Sequence, residues 1–498
     1  MLYEELIMDS STLIKFNLFK TLTRLNNDHY PVTHLAEEMD LNYQQTMIDL
    51  AEIDRDLEEL HENHVSILIG AGKINSFNIS STIDEYRYFL LTHSVPFQFM
   101  LYFLNEPEPN VDKFCEKYYV SRSTVSRKIA KFKAYLHQFH LRLTYTDAGL
   151  VGDERIIRIA LFILVWLGTR GMYWPLKVSE EKAEQFADAC AKYFPLSRTY
   201  LGRLELKFFA GIILSRLPRN KFAKYDKHYD FLLQKNSYYD FHEIEALLDI
   251  PLTPKQIKGE SSFIFFLAHF APFYTLEDDE SLQQTLLDFS TRLNPVYSLT
   301  REFLDYVRKQ FFKAEPELLD SPLILGNLLN VGFSFYVFRQ VYPSIHGLVV
   351  QPQMQAHSNQ EFQDKIDQFF SFVRKDPEFQ FITDEVLPEI SKTYANVLLP
   401  YYDRVKYSKK LQVSLAMEHN FLLVKGLYQF LDDLKFVQAE PYNTSKNDDY
   451  DLVISSSLLL KQEHPELPVY FWDHSSSESE LISLYQKLRN LYTEKNIY

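Results

Sequence analysis

At 498 residues the chain is longer than one hydrophobic core organises, and roughly three to five domains are expected. Its 13 glycines beside 40 Phe and 33 Tyr favour helices over turn-dense β folds. A formal net charge of −15 excludes broad, non-specific attraction to nucleic acid, so any DNA contact has to be built locally.

The first ten residues, MLYEELIMDS, are acidic and lack the basic-then-apolar order of a secretory signal. The longest apolar run, 159–168, is about half of the roughly 20 residues that a membrane span needs. Cys115 and Cys190 sit in helical patterns, outside metal or redox spacing. A cytoplasmic chain with reduced thiols and no membrane partner is expected.

An internal repeat organises the first 150 or so residues. PVTHLAEEMDLNYQQTMIDLAEIDRDL, from Pro31, superposes without gaps on NVDKFCEKYYVSRSTVSRKIAKFKAYL, from Asn110, 79 positions on. Val32 falls on Val111, Leu35 on Phe114, Ala36 on Cys115, Leu50 on Ile129, Ile53 on Phe132 and Leu57 on Leu136. Each copy predicts a short helix, a tight turn around one buried apolar residue (Leu41, Val120) and a longer helix capped by Asn42 or Ser121. This is helix-turn-helix spacing. A hairpin pattern follows each copy, VSILIGAGKINSFNI with Gly70 and Gly72, and LRLTYTDAGLVG with Asp147 and Gly149. Two winged helices in tandem are therefore expected.

The copies differ in charge. Arg127 corresponds to Ile48, Lys128 to Asp49, Lys131 to Glu52 and Lys133 to Asp54, and SRSTVSRKIAKFK holds five cations and no acid. Thr124, Arg127, Lys128 and Lys131 are expected on one helical face, with Ser121, Arg122 and Ser123 at the helix start, as DNA-contacting residues. A solvated helix face is the plainer account of such a run. In the first copy Gln44 and Gln45 suit adenine edges, whereas Asp49, Glu52 and Asp54 repel phosphate unless they face away. The second hairpin, at 143–151, carries Asp147 and is followed by Asp153, so the helix is expected to supply most of the affinity.

Residues 155–402 are almost continuously helical in pattern, with a break at Leu293, Asn294 and Pro295. From about Lys409 short apolar strands alternate with helices, which predicts a small parallel α/β sheet. GxxxxGK[ST], GxSxG and HExxH are absent, so no catalytic residue is assigned and no enzyme is expected. No cofactor is expected either. The pairs His61/His64 and His137/His140 have ligand-compatible spacing but suit surface histidines better, and no metal site is assigned.

The order of these parts, together with the SRSTVSRKIAKF helix, resembles the Mga/AtxA-type virulence transcription regulators of Gram-positive bacteria. The resemblance implies a mainly α, multidomain chain: a first winged helix-turn-helix at 1–80 and a second at 81–155. Two helical bundles like phosphotransferase-system regulation domains (PRDs) follow at 156–293 and 294–405, and a small α/β domain like a sugar-transport IIB component (EIIB-like) at 406–498. It implies a DNA-binding transcription regulator, acting on virulence or global genes as an activator, that binds promoter double-stranded DNA. It further implies a homodimer or higher oligomer through the last domain, and regulation through the sugar phosphotransferase phosphocarrier protein. The stretch 260–269, from Glu260 to His269, fits the family's phospho-histidine helix loosely and makes His269 the regulatory candidate, although its apolar neighbours also suit a core histidine. His228, His242, His346 and His357 are looser candidates. The loop where a IIB component carries its phospho-cysteine is here Met417, Glu418, His419 and Asn420, with no cysteine. A phosphotransferase enzyme or phosphocarrier, and an RNA-binding antiterminator, are the competing readings.

Overall fold

The computed structural model describes residues 2–25, 27–70, 72–144, 149–248, 250–349, 360–406, 410–418, 420–473 and 478–497. Asp147, His357, Lys409 and His419 lie outside the described residues. By compactness the chain forms two units, Met1–Phe303 with Pro322–Tyr394, and Leu304–Ser321 with Ala395–Tyr498. Within the first unit a single apolar core takes in Tyr3, Leu57, Phe132, Ile163, Phe266 and Leu348. The divisions in sequence pattern near 80, 155 and 293 are therefore not divisions of packing.

The first unit opens with α1 (Tyr3–Ile7) and α2 (Ser10–Leu22), the latter capped by Asp9 accepting from the Thr12 N–H. β1 (Tyr30–Pro31), α3 (Val32–Glu38), α4 (Tyr43–Leu60) and β2 (Lys73–Ile74) complete a winged helix. The expected hairpin is a small one: Leu68 bridges to Ile74, and Gly70 and Gly72 turn the chain at φ of 80° and 67°. A strand ahead of the helix-turn-helix, β1, pairs antiparallel with β2 and was not visible in the apolar pattern, since it is two residues long and ends in proline.

The second copy runs through α5 (Ile83–Thr92), α6 (Val95–Asn105), α7 (Val111–Tyr118), α8 (Arg122–Lys128), α9 (Ala130–His137), β3 (Arg142–Thr144) and β4 (Gly149–Val151). β3 and β4 pair antiparallel, with Arg142 opposite Val151 and Thr144 opposite Gly149. Gly149 thus starts a strand and is not the counterpart of the turn residue Gly70. The single long helix expected at 122–133 is bent at Ile129 (φ −85°, ψ 3°), with Ile129 N–H donating to Val125 O and Lys133 N–H to Ile129 O on either side.

The repeat is repeated in the backbone itself. Asp40 and Tyr119, 79 positions apart, both take left-handed backbone, at φ of 52° and 51°. One residue on, Leu41 N–H donates to Ala36 O at 2.8 Å and Val120 N–H to Cys115 O at 3.1 Å. This 6→1 bond stops the first helix and aims the second. Leu50, Ile53 and Leu57 in one copy, and Ile129, Phe132 and Leu136 in the other, are fully buried. Leu41 and Val120 are half-buried rather than buried.

α10 (Glu154–Thr169) has no solvent face, being buried from Arg155 through Thr169. Its carboxyl end is held by Arg87, 2% exposed, whose guanidinium donates to Leu167 O at 2.7 Å and Gly168 O at 3.1 Å while pairing with Glu4. Gly168 leaves room for Phe97 and Tyr3 against this end of the helix, since a Cβ there would meet them at 2.5 and 2.8 Å. α11 (Glu180–Cys190), α12 (Tyr200–Arg216), α13 (Asp230–Leu233), α14 (Phe241–Leu248), α15 (Pro254–Leu267), α16 (Glu280–Thr291), α17 (Pro295–Gln310), α18 (Pro322–Phe338), α19 (His346–Val349), α20 (Gln360–Val373) and α21 (Val386–Lys406) follow. Arg158 of α10 and Glu260 of α15, both fully buried, pair at 2.6 Å, and Glu260 also accepts from the Ala223 N–H. Such a pair is costly to break because either partner alone is an uncompensated buried charge.

In the second unit β5 (Leu411–Ala416), α22 (Phe421–Asp433), β6 (Val437–Pro441), β7 (Leu452–Ser455), α23 (Leu459–Glu463), β8 (Val469–Phe471) and α24 (Glu478–Ile497) build a parallel sheet in the order β6-β5-β7-β8. Leu411, Val413, Leu427, Leu431, Ile454, Leu484 and Leu488 fill one face; Tyr450, Val453 and Leu467 fill a smaller core.

Candidate nucleic-acid interface

The α8–α9 helix sorts its residues into three rows. Val125, Ile129, Phe132 and Leu136 face the core. Ser123, Ser126, Arg127, Ala130 and Ala134 form the outward row, every one of them exposed. Lys128 and Lys131 lie on the flank between, and they do not simply project into water. Lys128 Nζ is 3.1 Å from Asp9 Oδ2, and Lys131 Nζ donates to Glu5 O at 3.2 Å. Both are thus turned onto the N-terminal helices α1 and α2, and the expected face of Thr124, Arg127, Lys128 and Lys131 is split in two. Thr124 is half-buried, and its hydroxyl shares a hydrogen bond with Ser121 at 2.9 Å.

The helix start is also engaged locally. Ser121 caps α8 by accepting from the Thr124 N–H at 3.1 Å and bonds the Ser123 hydroxyl at 2.8 Å. Arg122 forms a two-pronged pair with Asp112 of α7. Arg127 and Lys133 are exposed and make no ion pair among the described residues.

The wing contributes a cation that the sequence pattern did not single out: Arg142 is exposed on β3. An isolated arginine opening a short strand carries no periodic signal, and only the position of β3 beside α9 identifies it. Asp153, expected to weaken the wing, caps α10 through the Arg155 N–H and grips the Arg155 guanidinium at 2.6 Å, so its charge is satisfied away from the wing.

The first copy answers the question of its acids. Asp49 is 5% exposed. Glu52 and Asp56 pair with Lys15 of α2 at 3.6 and 2.7 Å. Asp54 accepts from Ser66 at 2.6 Å and from the Ile67 N–H at 2.8 Å, and sits 2.8 Å from His64 Nε2. Burial pushes the Asp54 carboxyl up, but these three bonds outweigh it and hold the group below the usual carboxylate range. The corresponding row here is Gln44, Met47, Ile48, Ala51 and Arg55, apolar or neutral apart from Arg55, with Met47 and Ala51 half-buried. Gln44 and Gln45 are both exposed, and Gln45 Nε2 donates to Asp49 Oδ1 at 2.9 Å. At Lys128/Asp49 and Lys131/Glu52 the charge inversion between the copies lies on flanks that face protein, whereas at the third pair Asp54 is engaged and Lys133 is exposed.

His269 is 3% exposed, hydrogen-bonded at Nε2 to the Tyr239 hydroxyl. Burial holds its ring down to about 4, against the opposing pull of Asn330 and Asp288. The ring is neutral at neutral pH, and phosphotransfer to it requires the surrounding helices to open. Among the looser candidates His228 sits between Asp226 and Arg339, His346 is exposed at the start of α19, and His242 is exposed beside Glu245.

The i, i+3 histidine pairs do not converge. His61 bonds Ser81, His64 bonds Asp54 and His140 bonds Glu385. Among the described residues no cluster of His, Cys, Asp and Glu is arranged to hold a metal, and no helix is long and apolar enough to cross a membrane. Residues 80–164 match the family model of the Mga helix-turn-helix domain. No curated protein matches the chain.

Proposed function

We infer from its Mga helix-turn-helix domain that this chain is a DNA-binding transcription regulator of the Mga type, and we propose that its second winged helix does the reading. The observation that carries the assignment is the outward row of α8–α9. Ser123, Ser126, Ala130 and Ala134 are small enough to let the helix backbone sink towards the base edges, and Arg127 alone among them reaches further. Arg127 is suited to a two-pronged contact with guanine, and the alanines to thymine methyl groups. Arg142 and Lys133 flank this row as phosphate contacts. The first copy, with Ile48 where the second has Arg127, serves as a brace for the N-terminal helices.

Gel-shift and anisotropy titrations of the full chain on promoter duplexes test the reading. Arg127→Ala should cost about 1–3 kcal/mol of binding without changing the unfolding midpoint. Unchanged affinity would remove this helix from the interface.

The finer architecture belongs to the same proposal. Helical regulation domains of the PRD type at 156–293 and 294–405 would respond to the sugar phosphotransferase system, and a IIB-like domain at 406–498 would pair two chains in the cytoplasm. Support for the last comes from the β6-β5-β7-β8 order of the parallel sheet. The absence of cysteine from the loop after β5 favours a binding module over a phosphate relay. Sedimentation of the full chain over a concentration series tests self-association, and incubation with phosphoenolpyruvate and the general phosphocarriers tests the regulatory link.

A further inference from the structure

A lysine adds to DNA affinity by displacing a cation condensed on the phosphate backbone, and a lysine that already holds a protein anion has less to gain. Lys128 and Lys131 lie one turn apart on the flank of the reading helix, where the phosphates of the groove wall run beside a docked helix. Residues 5–9 occupy that flank. Glu5 offers the carbonyl that Lys131 Nζ reaches at 3.2 Å, and Asp9 offers the carboxylate that Lys128 Nζ reaches at 3.1 Å. Both contacts join residues more than a hundred positions apart, so they arise from the tertiary fold.

Asp9 is held in place independently of Lys128. Its Oδ1 accepts from the Thr12 N–H at 3.0 Å, the Thr12 hydroxyl at 2.8 Å and the Ser11 hydroxyl at 3.0 Å. Burial opposes ionisation, but these bonds and Lys128 hold the carboxyl well below its usual range, so it stays an anion at working pH. The pair with Lys128 is itself open to water, with side chains 36% and 42% exposed. Such a pair is weak, at about 0–1 kcal/mol, and exchangeable.

We propose that residues 5–9 act as a built-in phosphate mimic: the Asp9 carboxylate and the Glu5 carbonyl compete with DNA for Lys128 and Lys131, an autoinhibitory contact that lowers the resting affinity of the reading helix. The inference rests on the assignment of that helix as the DNA reader. DNA has to displace Asp9 from Lys128 to gain its phosphate contact there, and anything that lifts α1 and α2 away would release both cations.

Asp9→Asn in the full chain is the direct test, because asparagine caps a helix as well as aspartate does while removing the charge. The probe is a fluorescein-labelled promoter duplex several helical turns long, titrated by anisotropy across a salt series. The variant should bind about two- to fivefold tighter, the worth of an exposed pair, with the slope of log K on log salt steeper by about 0.9. In a Lys128→Ala background the same substitution should change neither quantity. An unchanged or weakened affinity for Asp9→Asn, or an equal gain with and without Lys128, would overturn the mimic. Failure of every variant and of the unmodified chain to bind any duplex would instead overturn the DNA-reading assignment, and the mimic with it. Far-UV circular dichroism and the unfolding midpoint check that α2 keeps its cap.

Discussion

The two winged helices share a skeleton and differ in what their flanks touch. Both stop the first helix on a left-handed residue, Asp40 or Tyr119, and both bury the same row behind the second helix. In the first copy the flank acids meet Lys15, the Ser66 hydroxyl and the Ile67 N–H; in the second the flank cations Lys128 and Lys131 meet Asp9 and the Glu5 carbonyl. The helix pair α1–α2 thus presents a cation to one copy and acceptors to the other. Charge along a helix is evidence about a ligand only after its intramolecular partners have been subtracted. After that subtraction the second copy keeps Arg127 at the position where the first has Ile48, and the first copy's own outward arginine, Arg55, falls where the second has Ala134.

The comparison can be broken most severely in the shared core. Phe132→Ala should cost about 3–5 kcal/mol and its counterpart Ile53→Ala about 2–5, measured by denaturant unfolding. One core through both copies requires a single transition in each variant, and two separated transitions would show that the copies fold apart. Asp54→Ala leaves His64, Ser66 and the Ile67 N–H without their acceptor and should cost about 1–3 kcal/mol, while its counterpart Lys133→Ala should stay within about 0.5. The folded-state pKa of Asp54 is depressed, so its contribution is present above the unfolded carboxylate pKa and lost as pH falls through the folded one. The stability of Asp54→Ala should accordingly fall less steeply in acid than that of the unmodified chain.

On DNA the asymmetry should be sharper still in kind. Arg127→Ala should lose about 1–3 kcal/mol of binding, and Ile48→Ala should remain within about 0.5, by anisotropy at one salt concentration. Equal losses would make the first copy a second reader. The smallest effect is conformational. Tyr119 is 96% exposed and held at φ 51°, so Tyr119→Gly should stabilise by up to about 1 kcal/mol. Asp40→Gly should gain only a few tenths, since aspartate tolerates that backbone better.

Much of this was legible in the chain itself, because helix period and turn chemistry are local. The 4, 3, 4 stepping of Val125, Ile129, Phe132 and Leu136 marks one face whatever lies elsewhere, and Asn42 and Ser121 announce helix starts by their chemistry. The 79-residue offset carried the second copy from the first down to a matching backbone bond. Tertiary structure alone decided which polar residues are available. Lys128 is paired with a residue 119 positions away, Asp54 is held by Ser66 and the Ile67 N–H beyond the end of its helix, and His269 is kept neutral by the enclosure that Tyr239, Thr285, Asn330 and Phe333 build around it. Hydrophobic spacing is written residue by residue, whereas the state of a charge depends on whichever distant group the fold brings within a few ångströms.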